Sequence, residues 1–365
     1  MANERKPQGE GTTAPEPTAR KSLPGSIGDS IIEDFGFGSV EEEVIPRAAP
    51  REIEDPLTVG VPQVGGWRVA AAMVSRFRPV PQLMWPIVHA VYGKPGDLGE
   101  PDAMFFSSVG QLVVRASQDK TLNRSSTPNT GGNLTQSVTA IGSDVAAAVC
   151  LIHAVCRKVS TVVAERVSRP ILDDALLRTH IGYYVGMLSP SMGAGRGMLA
   201  GFAGRCGLAV QIAAGEIDQA QRALTGMASG QDMTIVCNNV YGCDPLEVAA
   251  LTLISGGCCR EIAFGISSYS ATKKDIVPGS EQYRWLSLFS VIEAMRMGRV
   301  ESISPELWSE LGYTTTSQEE LRQHIVASQR RGHGWSWLTQ SQVLGGKAAD
   351  GGKDAKESKP SRKGP

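Results

Sequence analysis

The chain has 365 residues, a formal net charge of -1, 41% hydrophobic residues and only 6% aromatic residues. That length can bury a full core, which this composition makes aliphatic and helical, and the near-neutral balance excludes the broad basic field of a dedicated nucleic-acid binder. Seven cysteines without regular spacing, in a long chain with no signal peptide at its start, fit free thiols in the cytoplasm rather than a disulfide framework.

Residues 1–65 are rich in Pro, Gly, Glu, Ser and Thr and lack an apolar period, which predicts a disordered tail. The tail is acidic, with six Lys or Arg against twelve Asp or Glu over residues 1–60. Within it Ile31, Ile32, Phe35 and Phe37 form an apolar island, a candidate contact for a partner.

From residue 66 to 340 the period is helical. Phe105, Val109, Leu112, Val113 and Ala116 mark a first buried face, and Val145, Val149, Ile152, Cys156, Val159 and Val163 a second. A third runs through Leu177, Ile181, Tyr184, Val185 and Leu188, a fourth through Met198, Phe202 and Ala209. The apolar run 145–156 contains His153 and is shorter than a bilayer span, so no membrane contact is expected. The glycines of residues 191–197 lack the Lys-Ser/Thr pair of a phosphate loop and read as a flexible turn between helices. Residues 233–237 form a short β-branched run with no partner strand and read as loop or an extended piece.

Asp244-Pro245-Leu246-Glu247 places an N-cap Asp, a Pro at the first helical position and a Glu at the third, a strong helix start. Ser304-Pro305 and Ser317-Gln318-Glu319-Glu320 follow the same logic. Cys258 and Cys259 read as structural thiols, because adjacent side chains on a helix point too far apart to chelate one ion. Residues 301–340 read as a helical extension of the same domain, which thus spans 66–300 with this addition. They end on Trp335 and Trp337, which as exposed aromatics would anchor an interface and otherwise pack on the domain. Residues 341–365 are rich in Lys and Gly and predict a second disordered tail.

Residues 199–210, Leu-Ala-Gly-Phe-Ala-Gly-Arg-Cys-Gly-Leu-Ala-Val, resemble the segment L-A-G-L-L-H-D-I-G-K-L-V of HD-superfamily phosphohydrolases, whose His-Asp pair ligates a metal. Gly204 and Arg205 stand at those two positions. The resemblance extends in order along residues 79–298: Pro79 and Pro81 at the entry, Leu112 to Ser117 for L-x-x-A-N-S, residues 137–142 for A-I-x-x-L-G, and His180 for the His of an R-H-S helix. Residues 241–250 are similar to F-G-x-D-H-x-x-V-G-A, with Pro245 in place of the His, and residues 261–269 to a helix whose His pair is here Tyr269 and Ser270.

The family so resembled is the HDOD domain, a degenerate relative of the HD phosphohydrolases found in bacterial signalling proteins. It implies an all-α, multi-helix domain that works as a signal-transduction output or scaffold for other signalling proteins, without metal, cofactor or turnover. His180, Gly204, Arg205, Pro245 and Tyr269 would then line a vestigial cleft, and His180 would be the one metal-ligand type left in it, the other histidines, His89, His153, His324 and His333, lying outside the matched positions. Arg205 would pair with an Asp or Glu on a neighbouring helix, or, in a second reading, hold the phosphate of a nucleotide or second messenger together with His180. A residual metal-dependent phosphohydrolase is the third reading.

Overall fold

The computed structural model describes residues 66–125, 132–271 and 276–340. The two predicted tails, and with them Ile31, Ile32, Phe35 and Phe37, lie outside the described residues. Among those described the fold is all-α, with fourteen α-helices and no strand. In chain order they are α1 (Gly66–Phe77), α2 (Met84–Tyr92), α3 (Gly110–Ser117), α4 (Leu134–Ile141), α5 (Ser143–Val162), α6 (Glu165–Leu188) and α7 (Ala194–Ala214). There follow α8 (Ile217–Ala228), α9 (Met233–Tyr241), α10 (Pro245–Ser255), α11 (Arg260–Ser267), α12 (Glu281–Arg296), α13 (Pro305–Glu310) and α14 (Thr315–Arg331).

The fold is organised around α7, whose apolar and small residues run round nearly the whole helix, so that it has to be enclosed. Helices α1, α5, α6, α10 and α12 pack on it, and from Ala194 to Ala213 every residue except Arg205 is buried. Its most extensive partner is α6, and glycine makes that contact possible. A Cβ on Gly182 would lie 2.0 Å from the Gly197 carbonyl oxygen, one on Gly197 1.8 Å from the Gly182 carbonyl oxygen, and one on Gly186 2.1 Å from the Gly193 carbonyl oxygen. The two backbones thus touch along an antiparallel register in which each four-residue step back along α6 matches one forward along α7. On the opposite side of α7, a Cβ on Gly207 would lie 1.6 Å from the Pro245 carbonyl oxygen, so α10 is seated in the same manner.

Helix starts follow the predicted chemistry at α10, where Asp244 accepts from Leu246 N at 2.7 Å and Glu247 folds back onto Asp244 N at 3.1 Å, and at α13, which opens on Pro305. Elsewhere the local reading needs correction. Residues 233–237 are not extended. They open α9, because Asp232 accepts from Thr234 N and Ile235 N and burial of Val236 and Cys237 outweighs their β-branched preference. Thr314, not Ser317, caps α14, with Ser317 at the third position of its capping box. Phe105 is 50% exposed while Phe106 is fully buried, since residues 103–109 wind as a 3-10 turn and shift the periodic face by one position.

The glycines of residues 191–197 do not form a flexible turn throughout. Only Gly193 turns, with φ 90°, while Gly195 and Gly197 lie inside α7 and are pressed against Asp144 and Gly182. Cys258 and Cys259 precede α11 rather than sit on it, Cys259 being its N-cap, and all seven cysteines are buried free thiols. Helices α5 and α7 are long and apolar enough by length and composition to cross a bilayer, at mean hydropathies of 1.6 and 1.3, which the shorter run 145–156 does not convey. With 78% and 83% of those stretches buried inside the fold, they are its core helices.

Gly197→Ala tests the glycine contact. It is expected to cost about 3 kcal/mol and to lower Tm by about 6–12 °C, because a backbone oxygen cannot yield as a side-chain tip does. Gly110→Ala, whose Cβ would meet only Leu134 methyls at 3.7 Å, is the control and should melt like wild type.

Candidate functional site

Continuing the α6–α7 register past Gly201, which lies against the Arg178 carbonyl, brings Arg205 opposite Asp174. Arg205 Nε forms an ion pair with Asp174 Oδ2 at 2.8 Å, and Arg178 Nε donates to the same oxygen at 3.1 Å. From α12, Arg296 donates to Asp174 Oδ1 through Nε (2.9 Å) and Nη2 (2.7 Å), while Glu293 pairs with Arg178 Nη1. One carboxylate therefore holds three guanidiniums. Burial works against its charge, yet Arg178, Arg205 and Arg296 together keep the Asp174 carboxyl below its ordinary range. Arg178, 2% exposed, is held charged against burial by Glu293 and Asp174. Arg205 sits in the reverse situation: burial and then the neighbouring Arg178 press its pKa down, although a guanidinium remains charged.

Gly204 belongs to this arrangement through the side chain it lacks. A Cβ there would lie 2.8 Å from Glu293 Oε1 and 3.3 Å from Arg178 Cδ, so the Arg178–Glu293 ion pair fills the space a residue at 204 would claim. Above the network opens a cleft of about 790 Å³. Helices α8 and α9 line it with Met227, Met233 and Thr234, and α12 and the turn after it with Phe289, Met297, Arg299 and Ile303. At its base lie Arg178, Gly204, Arg205, Leu246 and Tyr269. Tyr269 packs edge-to-face on Phe289 at 5.0 Å.

Of the residues the sequence assigned to the cleft, Gly204, Arg205 and Tyr269 line it together. Pro245 lies behind Leu246, buried against Gly207. His180 is elsewhere. Two residues beyond Arg178 on a helix is about 200° of rotation, so as Arg178 faces the cleft His180 faces away. The residues that the sequence reading missed are Asp174, Arg178, Glu293 and Arg296. Their signal was the four-residue spacing of Asp174 and Arg178, opposite charges inside a helix otherwise read for its apolar positions.

His180 faces the C-terminal segment, residues 332–340, which is laid over α5 and α6. Trp335 is fully buried there, with its ring edge-on to His180 (4.6 Å) and Tyr183 (5.9 Å), and Trp337 is 6% exposed. Neither tryptophan is the exposed anchor of an interface, because the indoles complete the core. His153 Nδ1 donates to the Leu338 carbonyl at 2.8 Å, and Trp335 N donates to His333 Nδ1 at 2.9 Å. Burial lowers His153 and His180 from 6.5 to about 4, so both rings are neutral where the segment is docked.

The base of the cleft does not suit a divalent metal. Asp174 has both oxygens engaged by guanidiniums, position 204 offers no donor, and His180 points the other way. Among the described residues no three His, Cys, Asp or Glu side chains converge to hold an ion.

No family model and no curated protein matches this sequence. A solved structure shares its fold. That chain, a "Putative phosphohydrolase" of Shewanella amazonensis SB2B, aligns with a TM-score of 0.50 at 14% identity, over 75% of this chain and 98% of its own. At that identity the likeness extends to the helical fold alone.

Two outcomes follow from the charges. Asp174→Asn should lower stability by about 3 kcal/mol, since it leaves Arg205 and Arg296 without their carboxylate and Arg178 with Glu293 alone, whereas Arg205→Ala should cost less than about 1 kcal/mol, because Arg178 and Arg296 still neutralise Asp174. Comparable losses in denaturant titrations would contradict this account. For the histidines, a folded-state pKa of about 4 against 6.5 when exposed means the unfolded or undocked chain binds more protons below pH 6.5. Stability should thus be full above pH 6.5 and decline toward pH 4 by up to about 1.4 kcal/mol per pH step for each histidine. Tm and tryptophan emission recorded across that window should move together, and His180→Phe should reduce the slope but not abolish it, since His153 and His333, also lowered by burial, still contribute.

Proposed function

We propose that this chain is a non-catalytic, HDOD-like regulatory protein of a reducing cytoplasm, which binds other signalling proteins and turns over no substrate. The observation that carries this reading is the fate of the carboxylate beneath the cleft. Asp174 is saturated by three arginines, and the space at Gly204 is taken by the Arg178–Glu293 pair. A metal-activated water needs ionised oxygen or neutral imidazole donors and an open coordination position. Here a divalent ion would have to displace guanidiniums from Asp174 while standing beside them.

The nucleotide reading needed Arg205 and His180 on one ligand, and the half-turn between Arg178 and His180 works against that clamp. The phosphohydrolase reading draws on the resemblance in sequence and on the name of a neighbour at 14% identity.

The purified full-length protein, supplied with Mn²⁺ or Mg²⁺, is expected to leave a panel of phosphomonoesters, phosphodiesters and cyclic dinucleotides unhydrolysed above the metal-only rate. Turnover that disappears in Asp174→Asn, with the variant still folded by circular dichroism, would overturn the proposal.

A further inference from the structure

We infer that the cleft is a docking groove for an acidic, apolar peptide segment of a partner protein, an inference that rests on the non-catalytic reading above. Its charge is unbalanced in the direction of an anion. Three guanidiniums line it, those of Arg178, Arg205 and Arg299, against the two carboxylates of Glu293 and Asp232. Asp174 and Glu293 are occupied by arginines below, and Asp232 uses Oδ1 to cap α9. Arg299 is exposed on the lining and makes no ion pair among the described residues. Arg205 remains 25% exposed, with Arg178 crowded against it on the same carboxylate oxygen, so a further anion would relieve like-charge repulsion at the base.

The walls suit a peptide better than a compact anion. They are built of Met227, Met233, Met297, Ile303 and Leu307, flexible or aliphatic side chains that adapt to other side chains. The two rings present, Tyr269 and Phe289, pack edge-to-face on each other and leave no pair of parallel planes to sandwich a base. About 790 Å³ is room for several residues of chain. One wall can also adjust, since of the residues of α8 only Ala223 is buried. An apolar segment carrying Asp or Glu would set its apolar side chains against the methionines and its carboxylates on Arg299 and Arg205.

The test is to pan a random peptide library on the full-length protein and to measure the selected peptides by fluorescence anisotropy. The comparison is the double variant Arg299→Glu/Met297→Asp, two exposed positions whose change should leave the melting curve nearly unaltered. Selected peptides are expected to combine Asp or Glu with Leu, Met or Phe, to weaken as salt rises, and to bind the variant about tenfold or more less tightly. Peptides without acidic residues, equal binding to the variant, or no enrichment at all would overturn the inference while leaving the non-catalytic reading in place. Displacement of the selected peptides by ATP or inorganic phosphate at low concentration would overturn it in favour of a small-anion pocket. Phosphoester turnover is the separate result that removes the reading beneath it.

Discussion

The structure depends on the close contact between α6 and α7. Gly182 and Gly186 on one helix and Gly193, Gly197 and Gly201 on the other let the two backbones meet with no side chain between them. Such a contact admits little sliding, because a shift of one residue would set a Cβ against a carbonyl oxygen. It therefore fixes the register, and the register brings Asp174 to Arg205 and Arg178 to the edge of Gly204. The charged network is a consequence of glycine packing several turns away.

That network also explains how a core helix tolerates an arginine. Along α7 every residue from Ala194 to Ala213 is buried except Arg205, and burying an unpaired guanidinium there would cost several kcal/mol. Asp174 removes most of that cost, and α12 completes the arrangement by supplying Glu293 to Arg178 and Arg296 to Asp174. Gly204 and Arg205 set a small residue beside a cation, and neighbouring side chains fill the volume and balance the charge. Any function of the cleft has to work with a positively charged base and a methionine-lined mouth.

The two faces of α6 serve different ends. Arg178 turns to the cleft, with Asp174 paired to it beneath, whereas His180 and Tyr183 turn to the C-terminal segment and receive Trp335. Their separation follows from helical rotation, since two residues apart on an α-helix are on nearly opposite sides. The histidine that looks in sequence like the last remnant of a metal site is thereby a core residue beneath an indole, kept neutral by burial.

Much of this was legible in the sequence. The apolar periods located α5, α6 and α7, and the Asp-Pro-x-Glu start fixed α10, because periodicity and capping are local properties that a helix carries with it. The expectation that Arg205 would find a carboxylate was equally plain. The spacing of four among Gly193, Gly197 and Gly201, and between Gly182 and Gly186, was present too, but the glycines of residues 191–197 were read as a flexible turn for want of a visible partner. Only the tertiary structure decided which carboxylate Arg205 meets, that His180 leaves the cleft, that residues 233–237 wind into a helix, and that Trp335 and Trp337 are buried. Each of these depends on what lies across from a residue rather than beside it, and the pairing of faces is set by packing between segments distant in the chain, which no local pattern encodes.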